Sequence, residues 1–432
     1  MYQLASEISK LLGTTKKCFV CFTPEDLDFT NLGFAGIITI FVTGKKLEVK
    51  ITNENIADVY GLLQANIFSK GFLLFCWNIK PFFSYLRYFL KIEAEPESVI
   101  IDLKVIEKFL GINQDCPKSL SETINRAKII SKKSDWKSIY NQVLLPLIIK
   151  VIPGIETFPL LDKDLRIPVH SNYEVEGQTA GRLLCKSVFN RSFNPHTMSE
   201  SIKAKLIPYG YDKLFLCFDY KQMEVRMLSY LSNDLKLQEL LDSGQDFYKI
   251  VHELITGKES PNDSARKHCK LLFIQVIYGM TPSTISKNFK LSYEVATKIY
   301  NNLKNSFPVS FKWLDDQVQN LTDGIARDYF GRERNFSDKP YKVRNFVVQS
   351  PSAIFCMEKL ILLYNALKNF EGTSICYNVH DGYGIICDKK NYKEVYEISK
   401  KVLEESSELL PDLKIPVECK MGFRLNNLIT VK

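Results

Sequence analysis

The chain has 432 residues, 45% hydrophobic and 25% charged, with a formal net charge of +8, so it is globular and long enough for two or more domains. The charge is a weak indication of a polyanionic partner. The eleven cysteines include only one close pair, Cys18 and Cys21, which argues against a zinc site and indicates reduced thiols in a cytoplasmic setting. The N-terminus lacks the apolar core of a signal peptide, and no run reaches the roughly 18 apolar residues of a membrane span, so we expect no membrane partner.

Residues 1–112 alternate short apolar runs with helical patterns, which predicts a small α/β unit. The predicted strands are Cys18–Phe22, Gly36–Val42, Leu47–Ile51, Phe72–Trp77 and Val99–Asp102. The predicted helices are Ile56–Phe68, Phe82–Leu90 and a last one that ends at Leu110. Residues 113–175 predict two more helices, Leu120–Lys133 and Trp136–Val151, and the first is rich in basic side chains. A charge run is usually a solvated face, and contact with DNA is the alternative.

The segment Leu214–Ser232 changes from a fully apolar strand to an amphipathic helix, and Asp219 stands where the strand ends. A carboxylate at the end of a buried strand usually needs a partner or a metal ion. The alternative is that Asp219 caps the following helix.

Downstream, Ser260–Asp263 predicts a helix start with Ser260 as its cap, and Gly279 predicts its end. Within this helix Arg266, Lys270 and Tyr278 recur at multiples of four and share one face, which suits a triphosphate and a base. An ordinary solvated cation pair beside a core tyrosine is the alternative.

Residues 374–387 predict two short strands joined by a tight turn at Asp381-Gly382. The turn places Asp381 at a strand tip. It is either the residue that adopts a positive φ or, with Asp219, half of a dicarboxylate site for a hard cation such as Mg²⁺.

Together these stretches resemble the family A DNA polymerases, the bacterial DNA polymerase I type. The family's DYSQIELR motif corresponds to residues 219–226, its R-x3-K-x3-F-x3-YG helix to residues 266–279, and its VHDE motif to residues 379–382. Order and approximate spacing both match. The departures are Ile274 and Gln275 on the helix and Gly382 in the last motif. The roles of the family's aromatic residue at position 274 and of its glutamate at position 382 are therefore not assigned to this chain.

The resemblance implies an α+β right-hand polymerase domain (palm and fingers) over residues 176–432, with fingers at about 233–340. It implies a short helical thumb or linker at 113–175, and a rival alignment starts the polymerase domain within Gln142–Leu160. Residues 1–112 resemble the RNase H-like α/β fold of the 3′–5′ exonuclease domain. Its acidic motifs fall on Thr23–Glu25 and Asn78–Phe82, where the leading Asp and the last Asp are missing, so only Asp102 remains. We therefore expect a degenerate exonuclease that does not proofread.

The resemblance also assigns roles to single residues. Asp219 and Asp381, with the carbonyl of Tyr220, would hold two Mg²⁺ ions, for which Mn²⁺ can substitute, and Lys270 would join them in catalysis. Glu224 would close the floor of the sugar pocket and favour deoxynucleotides. The residues expected to bind the nucleotide are Arg266, Lys270, Tyr278, Glu224, Gln222, Tyr220 and Tyr248. The residues expected to contact DNA are Arg182, Asn190, Arg332, Arg334, Asn345, Gln349 and His380.

The implied function is template-directed DNA synthesis by two-metal nucleotidyl transfer to a primer 3′-hydroxyl. Two alternatives from other classes stay open, a non-catalytic DNA-binding relative and a single-subunit RNA polymerase or primase-like enzyme; Glu224 argues against the second. The expected partners are primer–template DNA and deoxynucleotides, with a processivity factor left open. We expect a monomer in the cytoplasm of a bacterium or a phage-infected cell.

Overall fold

The computed structural model describes residues 6–8, 17–26, 35–42, 45–52, 54–68, 73–87, 99–112, 114–131, 136–156, 160–162, 167–169, 171–185, 194–210, 212–259 and 262–431. The chain divides into two compact units. The first comprises Met1–Lys221, Ala353–Leu409 and Pro416–Lys432. The second comprises Gln222–Ser352 and Leu410–Ile415. This division does not separate residues 1–112 from 113–175, so those domain boundaries stay predictions.

The N-terminal part of the first unit contains a five-stranded sheet with the order β3-β2-β1-β4-β5. Its strands are β1 (Lys17–Asp26), β2 (Ala35–Val42), β3 (Lys45–Thr52), β4 (Leu73–Trp77) and β5 (Val99–Asp102). The first three form an antiparallel meander, and β4 and β5 add in parallel. Each of the five predicted strands corresponds to one of these strands, and Phe72 lies outside the described residues.

Helices cover this sheet and lead out of it. They are α1 (Ile56–Leu63), α2 (Lys80–Tyr85), α3 (Leu103–Phe109), α4 (Leu120–Ser131) and α5 (Trp136–Glu156). The predicted helix at Phe82–Leu90 therefore begins two residues earlier, and its last residues lie outside the described ranges. Asp102 caps α3 by accepting from the Lys104 N–H, and it also accepts from the N–H groups of Asn78 and Ile79.

Two helices, Trp136–Glu156 and Pro340–Leu367, are long and apolar enough to cross a membrane by length and composition. Polar and charged residues interrupt both helices, so neither is an unbroken run of about 18 apolar residues. Most of each apolar window is buried within the protein, 61% and 83% respectively, which is the pattern of core helices.

The first unit also contains a second five-stranded sheet, with the order β14-β15-β11-β16-β17. Its strands are β11 (Lys213–Tyr220), β14 (Ser374–Val379), β15 (Gly382–Asp388), β16 (Val417–Gly422) and β17 (Ile429–Thr430). Every neighbouring pair is antiparallel. We call this the central sheet. Its β11 is apolar on both faces because Phe215 and Leu216 are both fully buried.

The remaining elements of the first unit are short strands and helices around the central sheet. They are β6 (Leu160–Asp162), β7 (Ile167–Val169), β8 (Tyr173–Glu174), β9 (Leu184–Cys185), α6 (Glu200–Lys203), β10 (Leu206–Pro208) and, after β15, helix α15 (Tyr392–Glu404). A core cluster of Leu160, Leu206 and Phe215 with Cys376 and Ile386 joins β6 and β10 to the sheet.

The second unit is mainly helical in its described residues. Its helices are α7 (Met223–Ser232), α8 (Leu235–Asp242), α9 (Phe247–Thr256), α10 (Asp263–Ile277), α11 (Pro282–Phe289), α12 (Tyr293–Ser306) and α13 (Pro308–Gln319). A small hairpin, β12 (Ile325–Arg327) and β13 (Glu333–Asn335), leads to α14 (Val343–Leu367), which continues into the first unit. Phe247, Phe273 and Phe307 pack edge to face or tilted at centroid distances of 5.3–6.3 Å and form part of its core.

Candidate active site

Asp219 and Asp381 lie on neighbouring strands of the central sheet. Asp219, near the end of β11, pairs in register with Gly382 on β15, which directly follows Asp381. The Tyr220 N–H also donates to the Asp381 carbonyl at 3.4 Å. Asp219 is exposed, and the residue that precedes the helix, Gln222, has a φ of 49° and makes no side-chain cap. The N-cap position of the helix is thus Gln222 and not Asp219, and the register places Asp219 and Asp381 on neighbouring strands.

Gly382 lies close beside the carboxylate of Asp219. A Cβ atom built on Gly382 would lie 3.3 Å from the Asp219 Oδ1 atom, a contact tighter than most real Cβ contacts. A side chain at this position would therefore start against the carboxylate. The buried Cys356 thiol lies close enough to both aspartates for their charges to affect its pKa. Burial, and after it the charges of Asp381 and Asp219, raise the pKa of Cys356, while Arg182 lowers it.

The hairpin turn differs in one detail from the prediction. Its two connecting residues are His380 and Asp381, and the positive φ of 53° belongs to His380, not to Asp381 or Gly382. Asp381 is therefore not the residue that supplies the left-handed conformation. Its carboxylate is half-buried at the strand tip.

Tyr220 contributes its main chain to this edge and its side chain to the core. Its ring is 3% exposed and packs near Phe355 and Tyr383, and its hydroxyl donates to the Leu403 carbonyl at 2.8 Å. Only its backbone carbonyl is thus suited to the predicted ligand role.

The ring of His380 lies against that of His196, with centroids 4.8 Å apart. Burial, followed by the neighbouring His380 and offset in part by a hydrogen bond to the Asn378 backbone, lowers the pKa of His196 to about 4, and Arg182 acts in the same direction. Arg182 and His380, both predicted to contact DNA, therefore share one electrostatic environment with His196, a residue that sequence reasoning missed.

We predict that the folded state becomes less stable as the pH falls from about 6.5 to about 4 in part because of His196. In that range the unfolded chain binds a proton on His196 that the folded chain does not bind, so the free energy of unfolding rises with pH. Urea unfolding across this range should show a shallower pH dependence for His196→Asn than for the wild type. His252→Asn, on helix α9, is the control. An unchanged slope in His196→Asn would contradict the prediction.

In the second unit, Glu224 forms hydrogen bonds with Tyr278 and Gln349, two residues for which the sequence predicted different roles. The Tyr278 hydroxyl donates to Glu224 Oε2 at 2.5 Å, and Gln349 Nε2 donates to Glu224 Oε1 at 2.8 Å. These bonds bring α7, the end of α10 and α14 together at one carboxylate.

Helix α10 carries the predicted cations. Asn262 caps it by accepting from the Ala265 N–H at 2.9 Å, and Gly279 follows its end with a φ of 97°. The predicted cap, Ser260, lies outside the described residues. Phe273 is buried and Ile274 is half-buried, so the aromatic beside the family position faces the core.

Arg266 and Lys270 both lie over the ring of Tyr248. The Arg266 Cζ atom is 5.7 Å and the Lys270 Nζ atom 5.8 Å from the ring centroid. Arg266 Nε also donates to Asp246 Oδ2 at 2.5 Å, and Asp246 in turn caps α9 by accepting from the Tyr248 N–H. Tyr248 is 2% exposed, and burial, then the charge of Glu224, raises its pKa. The ring thus acts as a platform for two cations.

Arg332, predicted to contact DNA, is fully buried. Its exposed fraction is 0%, and its guanidinium bonds to Asp328 and Ser350. This placement does not allow a direct contact with nucleic acid, because a buried charge paired with a carboxylate serves the core. Arg334, two residues on, is half-buried and donates to the Glu333 carbonyl at 2.7 Å. Asn345 is half-buried on α14, and Asn190 lies outside the described residues.

The acidic edge fits a divalent metal ion by its donor set. Hard cations such as Mg²⁺ take carboxylate and carbonyl oxygens, which Asp219, Asp381 and the Tyr220 carbonyl offer. In the described ranges, no group of three or more His, Cys, Asp or Glu side chains suited to a metal is found. The candidate protein ligands at this edge are accordingly two carboxylates and one carbonyl.

A carboxylate pair suits divalent cations, and two cations above an aromatic ring suit a polyphosphate. Residues 112–427 match DNA polymerase family A, which is well over half of the chain. The chain therefore belongs to this family.

Three relatives illustrate the similarity. The chain is 26% identical over 226 residues to the thermostable DNA polymerase I of Thermus aquaticus, which covers 48% of this chain and 26% of that protein. It is 25% identical over 224 residues to DNA polymerase I of Streptococcus pneumoniae, with the same coverage of 48% and 26%. It is 25% identical over 370 residues to DNA polymerase I of Helicobacter pylori, which covers 77% of this chain and 40% of that protein. The chain thus spans less than half the length of these relatives.

Proposed function

We propose that the chain is a DNA-directed DNA polymerase that extends a primer 3′-hydroxyl with deoxynucleotides. The observation that carries the proposal is the register of the central sheet, in which Asp219 pairs with the residue that follows Asp381. Membership of the family over residues 112–427 supports it. Within the hand-like layout we assign the central sheet to the palm and the helices around α10 to the fingers.

Asp219, Asp381 and the Tyr220 carbonyl would hold two Mg²⁺ ions. When bound, these ions supply Lewis-acid activation of the primer hydroxyl and charge neutralisation at the triphosphate. The chain's own residues do the rest. The aspartates fix the charge of the site at the sheet edge, and rigid strands keep both carboxylates in place without reorganisation.

Arg266 and Lys270 would receive the phosphates of the incoming nucleotide. The Arg266 guanidinium offers a bidentate fork, and Lys270 is a compact point charge. Asp246 accepts from Arg266, and the Tyr248 ring lies beneath both cations, so a triphosphate would replace or share the Asp246 contact with Arg266.

Glu224 would exclude a ribose 2′-hydroxyl. Its carboxylate is fixed at both oxygens by Tyr278 and Gln349, so a substrate hydroxyl would meet a rigid and already bonded group. This network favours DNA synthesis over the RNA polymerase reading.

The test is extension of a labelled primer–template with Mg²⁺ and either deoxy- or ribonucleotides. We expect extension with deoxynucleotides only, and Glu224→Ala should raise ribonucleotide use by about tenfold or more. Gln238→Ala, on the neighbouring helix α8, is the control. No extension with either nucleotide, together with DNA affinity that ignores Mg²⁺ and nucleotide, would overturn the proposal in favour of a DNA-binding protein.

The Tyr248 platform gives a second prediction. Tyr248→Phe keeps the aromatic face, so the KM for deoxynucleotide should stay within about twofold of the wild type. Tyr248→Leu removes the face and should raise that KM by about tenfold, with a smaller change in kcat. Steady-state kinetics of single-nucleotide insertion measures both. Equal damage in the two variants would instead indicate that the hydroxyl contacts phosphate.

We propose further that residues 1–112 form a degenerate 3′–5′ exonuclease fold without proofreading activity. The mixed sheet supports the fold, and the engagement of Asp102 with three backbone N–H groups supports the loss of activity, because that carboxylate serves as a structural cap. A mismatched primer end that stays uncut in the extension assay would agree with this proposal, and its removal would contradict it. We also propose that the protein is a cytoplasmic monomer. Because the thumb is short, we propose that a processivity factor binds to it.

A further inference from the structure

A series of buried polar contacts leads from helix α2 to the hairpin that carries Asp381. Lys80 Nζ and Ser84 Oγ, both on α2, each donate to the carboxylate of Glu156 at 2.6 Å. The same carboxylate accepts from the backbone N–H of Tyr173 at 2.6 Å. Glu156 is 1% exposed, so these donors offset the cost of burying its charge and fix its position.

Tyr173 continues the series to the central sheet. Its fully buried hydroxyl donates to the Asn378 carbonyl and accepts from the Asn378 N–H, both at 2.9 Å. Burial raises the pKa of Tyr173, so the hydroxyl keeps the proton that it donates. The Asn378 side chain then reaches across the turn and donates to the Gly382 carbonyl at 3.0 Å. The hydroxyl therefore holds the base of the turn that contains His380 and Asp381.

The helix end that carries Glu156 has little freedom to move. A Cβ atom on Gly154 would lie 2.7 Å from the Tyr364 ring, so α5 packs directly on α14 at this point. The last turn of α5 also packs against both α2 and β14. A displacement at Glu156 would thus be passed to Tyr173 and to the hairpin rather than absorbed by a gap.

We propose that Glu156 and Tyr173 are positioning residues for Asp381, and that helix α2 anchors them through Lys80 and Ser84. The contacts stand independently of the reaction, but the expected effect on kcat rests on the proposed polymerase function. Lys80 lies within the segment Asn78–Phe82, where an exonuclease would need an aspartate that is missing here. The inference gives this segment a different role, as a support for the polymerase site.

The first test compares two tyrosine-to-phenylalanine variants. Tyr173→Phe removes only the hydroxyl that holds Asn378. Tyr140→Phe is a closely matched control, since its buried hydroxyl likewise accepts from a strand N–H, that of Asp102, and donates to a carbonyl, that of Ile100. We expect Tyr173→Phe to lower kcat by about tenfold while the KM for deoxynucleotide stays within about twofold, and Tyr140→Phe to change neither.

Hydrogen exchange provides a readout that does not depend on activity. Amides of the hairpin Ser374–Asp388 should exchange faster in Tyr173→Phe than in the wild type, and they should not do so in Tyr140→Phe. If the wild type fails to extend primers, the polymerase proposal falls, whereas this exchange result still decides whether Tyr173 holds the hairpin.

A double-mutant cycle tests the anchor at the other end. Lys80→Met should lower kcat by a smaller factor than Tyr173→Phe, and the double variant should lose less than the product of the two single effects because both interrupt the same series of contacts to the hairpin, Lys80 at Glu156 and the Tyr173 hydroxyl at Asn378. If Tyr173→Phe fails to fold, the kcat of Lys80→Met and the hydrogen exchange of its hairpin amides test the inference instead. Unchanged kcat and unchanged hairpin exchange in the folded variants would overturn the inference.

Discussion

Replacing Asp381 with asparagine should lower the rate of primer extension by on the order of 10³-fold, and Asp219→Asn should do the same. Asparagine keeps the size and the turn geometry of aspartate but removes the negative charge. The site would then offer one carboxylate where two divalent cations need to be neutralised. Single-turnover extension of a labelled primer–template at saturating deoxynucleotide measures the loss in the chemical step.

The control for this prediction lies at the other end of the same strand. Asp388, the last residue of β15, pairs with Lys213 at 2.8 Å, so Asp388→Asn removes a charge of the same kind away from the turn. It should keep nearly full activity and lose a little stability. Primer–template affinity should stay close to that of the wild type in all three variants. If Asp219→Asn and Asp381→Asn both extend primers within about tenfold of the wild type, these carboxylates are not the catalytic pair.

The sequence predicted this edge of the central sheet because its signals are local. An apolar run that stops at Asp219 and an Asp-Gly pair between two apolar segments predict a strand end and a hairpin without any knowledge of distant residues. The positive φ was assigned less well: it falls on His380, because the two-residue turn begins one position earlier than the Asp-Gly pair suggests.

Long-range contacts left no comparable signal. Tyr173 and Asn378 are 205 positions apart, and neither stands in a periodic pattern that would indicate the other. The pairing of Arg266 with Asp246 was missed for a related reason: Asp246 caps α9, a local contact, and nothing in the sequence around it indicates Arg266. A residue that satisfies one local rule gives no indication of its second partner.

Arg332 was predicted from a motif to contact DNA, but its side chain is buried. Its replacement has the largest expected effect on stability. Arg332→Met should lower the free energy of unfolding by about 3–5 kcal/mol, because it leaves the carboxylate of Asp328 buried without its cation. Both residues have an exposed fraction of 0% on their side chains. Thermal unfolding should show a midpoint lower by roughly 10 °C. The comparison variant is Arg334→Met, which should change stability little but weaken primer–template binding. The reverse pattern, with Arg332→Met stable but poor in DNA binding, would restore the predicted DNA contact.

The pH dependence separates a lost ion pair from a packing defect. Burial raises the pKa of Asp328 above its usual value, while Arg332 and Ser350 lower it, so removing the Arg332 guanidinium should raise it further. Between the usual pKa and this raised one, the folded chain holds a proton that the unfolded chain has released, and stability falls as the pH rises. The destabilisation in Arg332→Met should therefore be larger at pH about 8 than at pH about 5. Adding Asp328→Asn to Arg332→Met should abolish this dependence and recover part of the stability. A loss that is independent of pH in Arg332→Met would instead assign Arg332 to packing alone.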